Sequence, residues 1–136
     1  MEFETHGLSL TGLKIIVVED DATLRTILRD IITQLGGECL AFDNAEDALA
    51  DLLTTHGECS LIIADHGVPG SIKGMELLAM AQEKWPSIPA ILTSGFRLEI
   101  GEQNPDNIYL FKPWSLEELI FSISQALSTR FILGQG

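Results

Sequence analysis

Basic residues are scarce in this chain of 136 residues: eight lysines and arginines stand against 20 aspartates and glutamates, a formal net charge of −12. A chain this acidic is repelled by a nucleic-acid backbone, so we expect it not to bind nucleic acid directly. Charged residues make up 21% and hydrophobic residues 46%. That balance is typical of a globular protein and excludes a disordered chain.

Long apolar runs are also missing. No segment approaches the roughly 18 apolar residues that cross a bilayer, and the first residues lack the basic and apolar regions of a secretory signal. We therefore expect a cytoplasmic protein without a membrane partner. Cys39 and Cys59 have neither metal-binding nor redox spacing, and free thiols suit that compartment.

The length predicts one domain with a hydrophobic core of its own. We expect a flexible leader over residues 1–12, the domain over 13–130 and a C-terminal tail over 131–136. No internal repeat or interdomain linker interrupts the chain.

Short apolar runs alternate with helical patterns along the domain. The runs predict buried strands, and between them apolar residues recur at helical spacing. Such alternation predicts an α/β three-layer sandwich, in which right-handed crossovers join a five-stranded parallel sheet covered by helices on both faces. Asn44 and the pair Ser115 and Glu118 are the predicted helix caps. The predicted strands cover residues 13–18, 39–42, 61–64, 90–93 and 108–111.

Polar residues follow four of the five predicted strands, at the edge where parallel sheets bind ligands. Carboxylates, hydroxyls and lysine are the groups that hold a divalent cation or an anion. The residues concerned are Glu19, Asp20, Asp21, Asp65, Ser94 and Lys112.

Four motifs follow one another along the chain: Val17-Val18-Glu19-Asp20-Asp21, Ile63-Ala64-Asp65 with Pro69, Leu92-Thr93-Ser94-Gly95 and Lys112-Pro113-Trp114. In this order they resemble the receiver domain of two-component response regulators, and the resemblance extends from residue 13 to 127. It implies a flavodoxin-like (βα)5 fold with strand order 2-1-3-4-5, and a signalling module that is not an enzyme. The Pro-Gly-rich loop 69–73 is similar to that of receivers attached to hybrid histidine kinases. The alternative is a receiver that forms a stand-alone regulator.

The resemblance implies that Asp65 is the phosphoacceptor, supplied by a phosphohistidine on a histidine kinase or a histidine phosphotransfer protein. The implied Mg²⁺ ligands are Glu19, Asp20, Asp65 and the backbone carbonyl of Gly67. With the first and third strands adjacent, the carboxylates converge, and a divalent cation relieves their repulsion. Asp21 is expected to cap the following helix instead.

A second set of residues is implied to respond to the phosphoryl group. Ser94, Gly95 and Lys112 would bind it, with Lys112 pairing with the acceptor carboxylate beforehand. Ser94 would then move towards the phosphoryl group and Tyr109 would fill the vacated space, which switches the protein-interaction surface. Thr93 is a rival hydroxyl, but strand alternation predicts it on the opposite face.

Two features depart from the family pattern. The segment between Ser94 and Lys112 is shorter than in chemotaxis-type receivers, so we expect the helix between the fourth and fifth strands to be short or irregular. Gly74 lies one residue further past Asp65 than the family usually places that glycine. The loop between them should therefore differ in shape.

Two other functions compete with that of a receiver. A phosphorylation-independent interaction module on the same fold is the alternative; loss of Asp65, Lys112 or the acidic pair would have marked it. A haloacid-dehalogenase-type phosphotransferase needs Asp-x-Asp after the first strand, where this chain has Glu19-Asp20-Asp21.

Overall fold

The computed structural model describes residues 7–95 and 107–135, the latter with side chains to residue 128. Five strands and four helices lie in these ranges, and each predicted strand is present within a residue of its expected bounds. In chain order they are β1 (Lys14–Val18), α1 (Ala22–Gln34), β2 (Glu38–Phe42), α2 (Ala45–Thr54), β3 (Leu61–Asp65), α3 (Gly74–Lys84), β4 (Ala90–Ser94), β5 (Ile108–Phe111) and α4 (Leu116–Gln135).

The five strands form one parallel sheet with the order β2-β1-β3-β4-β5. This confirms the flavodoxin-like arrangement, in which the order reverses between β1 and β3. Val18 at the end of β1 pairs with Ala64, so the residues that follow β1 and end β3 meet at one edge of the sheet. The helix expected to be short or irregular between β4 and β5 falls mostly on residues 96–106, outside the described residues.

Helices cover both faces of the sheet and close two apolar cores. Alternate residues of a strand face opposite sides, so strands covered on both sides are apolar throughout. Ile15 and Val17 of β1 lie in the core under α1 and α4, whereas Ile16 and Val18 lie in the core under α2 and α3. The sheet is thus held between two dry layers, and only its edges remain for a polar site.

Side chains that cap helices define three of the helix starts. Asp21 accepts the backbone N–H three residues on at 3.0 Å and begins α1. Asn44 accepts that of Asp47 at 2.8 Å and begins α2. Ser115 and Glu118 bond each other's backbone N–H at 3.0 and 2.8 Å, a capping box before α4. All three predicted caps are confirmed, and Asp21 is engaged in its cap.

Structured segments lie on both sides of the expected domain bounds 13–130. Leu10 lies in the predicted leader 1–12 but is fully buried, and its backbone N–H donates to the Leu35 carbonyl at 2.8 Å. A single apolar residue has no periodicity, so the sequence pattern did not reveal this packing. At the other end α4 continues to Gln135, so most of the predicted tail 131–136 is helical. None of the helices in the described ranges, α4 included, has the length and apolar content of a membrane span.

Adjacent leucines in α2 test the two-core arrangement, since Leu52 is 0% exposed and Leu53 is 47% exposed. Leu52→Ala leaves a cavity in the core and should lower the free energy of unfolding by about 2–5 kcal/mol. The matched control Leu53→Ala should lower it by less than about 1 kcal/mol. Urea unfolding followed by far-UV circular dichroism measures both, and equal losses would contradict the packing described.

Candidate functional site

Three carboxylates meet where β1 and β3 end. One oxygen from each of Glu19, Asp20 and Asp65 lies within 4.8 Å of the others. Glu19 and Asp65 are buried, whereas Asp20 is exposed at the rim. The adjacency of β1 and β3 produces this convergence, which the expected strand order had predicted. Like charges at such distances repel each other and favour a cation between them.

Lys112, just past the end of β5, supplies a positive charge to this cluster. Its Nζ lies 2.9 Å from Glu19 Oε1 and 3.0 Å from Asp65 Oδ1. Its backbone N–H donates to the Ser94 carbonyl at 2.7 Å, which ties the end of β5 to that of β4. The peptide bond to Pro113 is cis. The contact with Asp65 was predicted, but the equally short contact with Glu19 was not.

Burial and pairing oppose each other at this ion pair. The 2% exposed side chain of Glu19 loses hydration, which raises its pKa despite hydrogen bonds from Lys112 and the Asp21 backbone N–H. Burial disfavours the charged form of Lys112, but its hydrogen bonds and attraction to Glu19 and Asp65 outweigh that cost and raise its pKa. Lys112 therefore stays protonated. Glu19 is the group for which the cost of burial exceeds the gain from pairing.

The two carboxylate oxygens of Asp65 have different partners. Oδ1 contacts Lys112, and Oδ2 accepts the backbone N–H of Gly67 at 3.1 Å. On the backbone side, Gly74 packs so closely that a Cβ there would clash with the Asp65 carbonyl oxygen. The carboxylate is thus held from two directions, and the following loop can return to α3 only through a glycine.

Thr93 also contacts the Asp65 carboxylate, contrary to the prediction from strand alternation. Its buried Oγ1 donates to Asp65 Oδ1 at 3.3 Å. Thr93 is the direct partner of Asp65 in the pairing of β3 with β4, and such partners share a face of the sheet. The prediction for Thr93 was wrong because Ser94 would share a face with Asp65 only if β3 and β4 paired one residue out of the observed register.

Arg25 was not predicted to take part, yet it holds the backbone of the acidic segment. Its Nη1 donates to the Glu19 carbonyl at 2.9 Å and lies 3.4 Å from that of Asp20. The Asp21 backbone N–H donates to Glu19 Oε2 at 3.1 Å and closes the same turn. An arginine in the first turn of a helix that follows an acidic run was the available signal.

The remaining predicted residues lie at the end of β4, just past it and on β5. Ser94 is buried at the end of β4, followed by Gly95, and it pairs in register with Phe111. Tyr109 is half-buried, pairs with Leu92 and packs against the core under α2 and α3. The roles assigned to Ser94, Gly95 and Tyr109 stay predictions.

Similarity to known proteins covers most of the chain. The family model described as the response regulator receiver domain matches residues 15–124. The response regulator protein FleR of Pseudomonas aeruginosa is 33% identical over 127 residues, which cover 90% of this chain and 25% of FleR. The chemotaxis protein CheY homolog of Campylobacter jejuni is 29% identical over 124 residues, which cover 86% of this chain and 94% of that protein.

A solved structure shows the same architecture. The response regulator receiver protein from Sinorhizobium medicae is similar with a TM-score of 0.80 at 25% identity, covering 90% of this chain and 99% of that one. This chain spans about a quarter of the length of FleR but nearly all of that receiver protein and of the CheY homolog.

Glu19 provides a test of the electrostatics. Because its pKa is raised in the folded state, its carboxylate costs stability at neutral pH, and the cost disappears as the pH falls through the raised value towards the ordinary 4.5. In EDTA, Glu19→Gln should raise the Tm by a few degrees at neutral pH, and this gain should shrink as the solution is acidified. Differential scanning fluorimetry over a pH series measures it.

The exposed Glu58 is the control, since Glu58→Gln removes the same charge away from the cluster. Its Tm should match the wild type at every pH. A Tm below the wild type for Glu19→Gln would mean that the contact with Lys112 outweighs the cost of burial.

Proposed function

We propose that this chain, which belongs to the response regulator receiver domain family, accepts a phosphoryl group on Asp65 from a phosphohistidine of a histidine kinase or histidine phosphotransfer protein. Receiver domains are signalling modules that accept a phosphoryl group on an aspartate in two-component systems. One observation carries the assignment to Asp65: its carboxylate pairs with Lys112 at 3.0 Å, at the sheet edge that also holds Glu19 and Asp20.

Transfer to Asp65 is a displacement at phosphorus. An oxygen of Asp65 forms the new O–P bond while the P–N bond to the donor imidazole breaks, and the leaving nitrogen takes up a proton from solvent. Gly67 and Lys112 hold the two oxygens of Asp65 in a fixed orientation, which favours in-line attack. The protonated Lys112 neutralises charge on the acceptor and then on the phosphoryl oxygens.

The donor atoms at this edge suit Mg²⁺. Carboxylate and carbonyl oxygens are its preferred ligands, and three carboxylates lie within reach of one another. Glu19, Asp20, Asp65 and the Gly67 carbonyl would hold the ion, and when bound it would neutralise charge on the transferring group. Arg25 and the Asp21 backbone N–H keep Glu19 and its neighbour in position for that role.

One hydroxyl faces the acceptor, and a second follows it on the opposite face of β4. Thr93 orients the free carboxylate, since its Oγ1 already donates to Asp65. Ser94 is joined through its carbonyl to the Lys112 backbone, and its hydroxyl has to turn inward from the opposite face to contact the phosphoryl group, with Gly95 beside it. Movement of Ser94 then lets Tyr109 turn and change the protein-interaction surface of β4, β5 and α4.

The partners proposed for this chain are proteins. The DNA-binding transcriptional regulator NtrC of Proteus hauseri is 30% identical, but the match covers only 24% of that regulator. Because its net charge is −12, we propose that this chain itself makes no contact with nucleic acid. We also propose that it acts in the cytoplasm. A phosphorylation-independent interaction module is the alternative and needs none of the site chemistry.

Phosphorylation by a small donor tests the assignment of Asp65. Incubation with acetyl phosphate and Mg²⁺ should add one phosphoryl group to the intact chain, measured by mass spectrometry. Asp65→Asn should gain none because the nucleophile is gone, and EDTA should abolish the gain in the wild type. Asp30→Asn, an exposed position on α1, is the control and should be phosphorylated normally. A wild type that gains no mass under any condition favours the interaction module.

Substitutions at the two hydroxyls separate their roles. Thr93→Val removes a hydrogen bond of about 1 kcal/mol to the acceptor and should slow phosphoryl uptake about fivefold. Thr93→Ser keeps the hydroxyl and should restore the rate. Ser94→Ala should change the half-life of the acyl phosphate, because the proposed contact of Ser94 is with the phosphoryl group. A wild-type uptake rate in Thr93→Val would refute the orienting role.

A further inference from the structure

The loop after Asp65, residues 66–73, is held by a residue outside every site motif. Glu46 lies in the first turn of α2, and its Oε2 accepts the Ser71 backbone N–H at 2.9 Å. The Ser71 hydroxyl lies 3.2 Å from the same oxygen. A carboxylate from α2 is thus bonded to the backbone of the segment that connects β3 to α3.

Gly70 allows the loop to lie directly against this carboxylate. Its φ is +104°, a conformation that favours glycine, and a Cβ would lie 2.5 Å from Glu46 Oε2. Hydrogen bonds from backbone N–H groups, its own and that of Ser71, lower the pKa of Glu46, so the carboxylate is charged at neutral pH. The contact is a charge-assisted one.

The same loop is fastened at other points as well. Lys73 Nζ donates to the carbonyl of the buried Val68 at 3.0 Å, and the Gly67 backbone N–H donates to Asp65 Oδ2. Glu46 and Gly70 line an open pocket of about 570 Å³ together with Asp20. A shift of residues 70–71 would therefore displace Gly67 and the pocket wall next to Asp20. Only two residues, Val68 and Pro69, separate Gly67 from Gly70.

We propose that Glu46 is a positioning residue for the phosphorylation site, which fastens residues 70–71 and so holds Gly67 against the Asp65 carboxylate. The inference rests on the proposed function of Asp65. It gives α2 an indirect part in the chemistry, since a displacement of its first turn would move the loop that orients the acceptor.

Three variants test the proposal. Glu46→Ala removes the contact, whereas Glu46→Gln keeps an oxygen that can accept the Ser71 N–H. Asp47→Ala is the matched control, because Asp47 is the next residue in the same turn and contacts Asn44 instead of the loop. The measurements are the rate of phosphorylation by acetyl phosphate over a range of donor concentrations, and hydrogen–deuterium exchange of the amides of residues 67–71.

Glu46→Ala should lower the maximal rate roughly threefold to tenfold with the donor KM unchanged, since orientation is lost and donor binding is not. Amides 67–71 should exchange faster in the same variant, and its Tm should stay near that of the wild type. Asp47→Ala should match the wild type in rate and in exchange, and Glu46→Gln should lie between the wild type and Glu46→Ala, because it keeps the acceptor oxygen but loses the charge.

Gly70→Ala disturbs the contact from the loop side and should cause the same loss of rate. Its effect should be smaller in the Glu46→Ala background, because residues in one contact are not additive. A normal rate and normal exchange in Glu46→Ala would overturn the inference and leave the role of Asp65 intact. An equal defect in Asp47→Ala would also overturn it. A wild type that takes up no phosphoryl group would overturn the proposed function instead.

Discussion

The contact of one lysine with two buried carboxylates is the constraint on which this site depends. Glu19 follows β1 and Asp65 ends the adjacent β3; both are nearly removed from water, so each charge would be costly to bury without a partner. Lys112 bonds both within 3.0 Å, although it follows β5 at the far edge of the sheet. Its side chain must therefore extend past the end of β4 to reach them. The hydrogen bond from its backbone N–H to the Ser94 carbonyl determines the point from which that side chain extends.

The two-sided core explains why polar chemistry gathers at one edge. Helices cover both faces of the sheet, so the side chains in the middle of the strands are apolar, and the polar groups of the site lie at the strand ends or just past them. The sheet provides a rigid base, but the segments that leave it are held by single polar contacts. Arg25 holds the acidic segment and Glu46 holds the loop after Asp65. Positioning of the acceptor is thus shared between the strands and the helices that follow them.

Local signals predicted the parts of the structure that depend on neighbouring residues. The strands and the caps at Asp21, Asn44 and Ser115 follow from patterns a few residues long. The acidic cluster needed, in addition, the strand order that the family resemblance implied. Thr93 was placed wrongly because the face of a strand-end side chain depends on register with the next strand, and a shift of one residue reverses it. Glu46 was missed for a related reason: it lies 25 residues from Ser71, and no local pattern connects them.

The sequence by itself determined the fold class, the alternation of strands and helices, and the set of residues able to bind a cation or a phosphoryl group. Periodicity and residue chemistry are sufficient for these because burial selects apolar faces and parallel strands send their carboxyl ends to one edge. Tertiary structure alone decided that Lys112 bonds Glu19 as well as Asp65, that Thr93 faces the acceptor, and that α2 holds its loop. These contacts join distant segments, and their distances are set by register and packing.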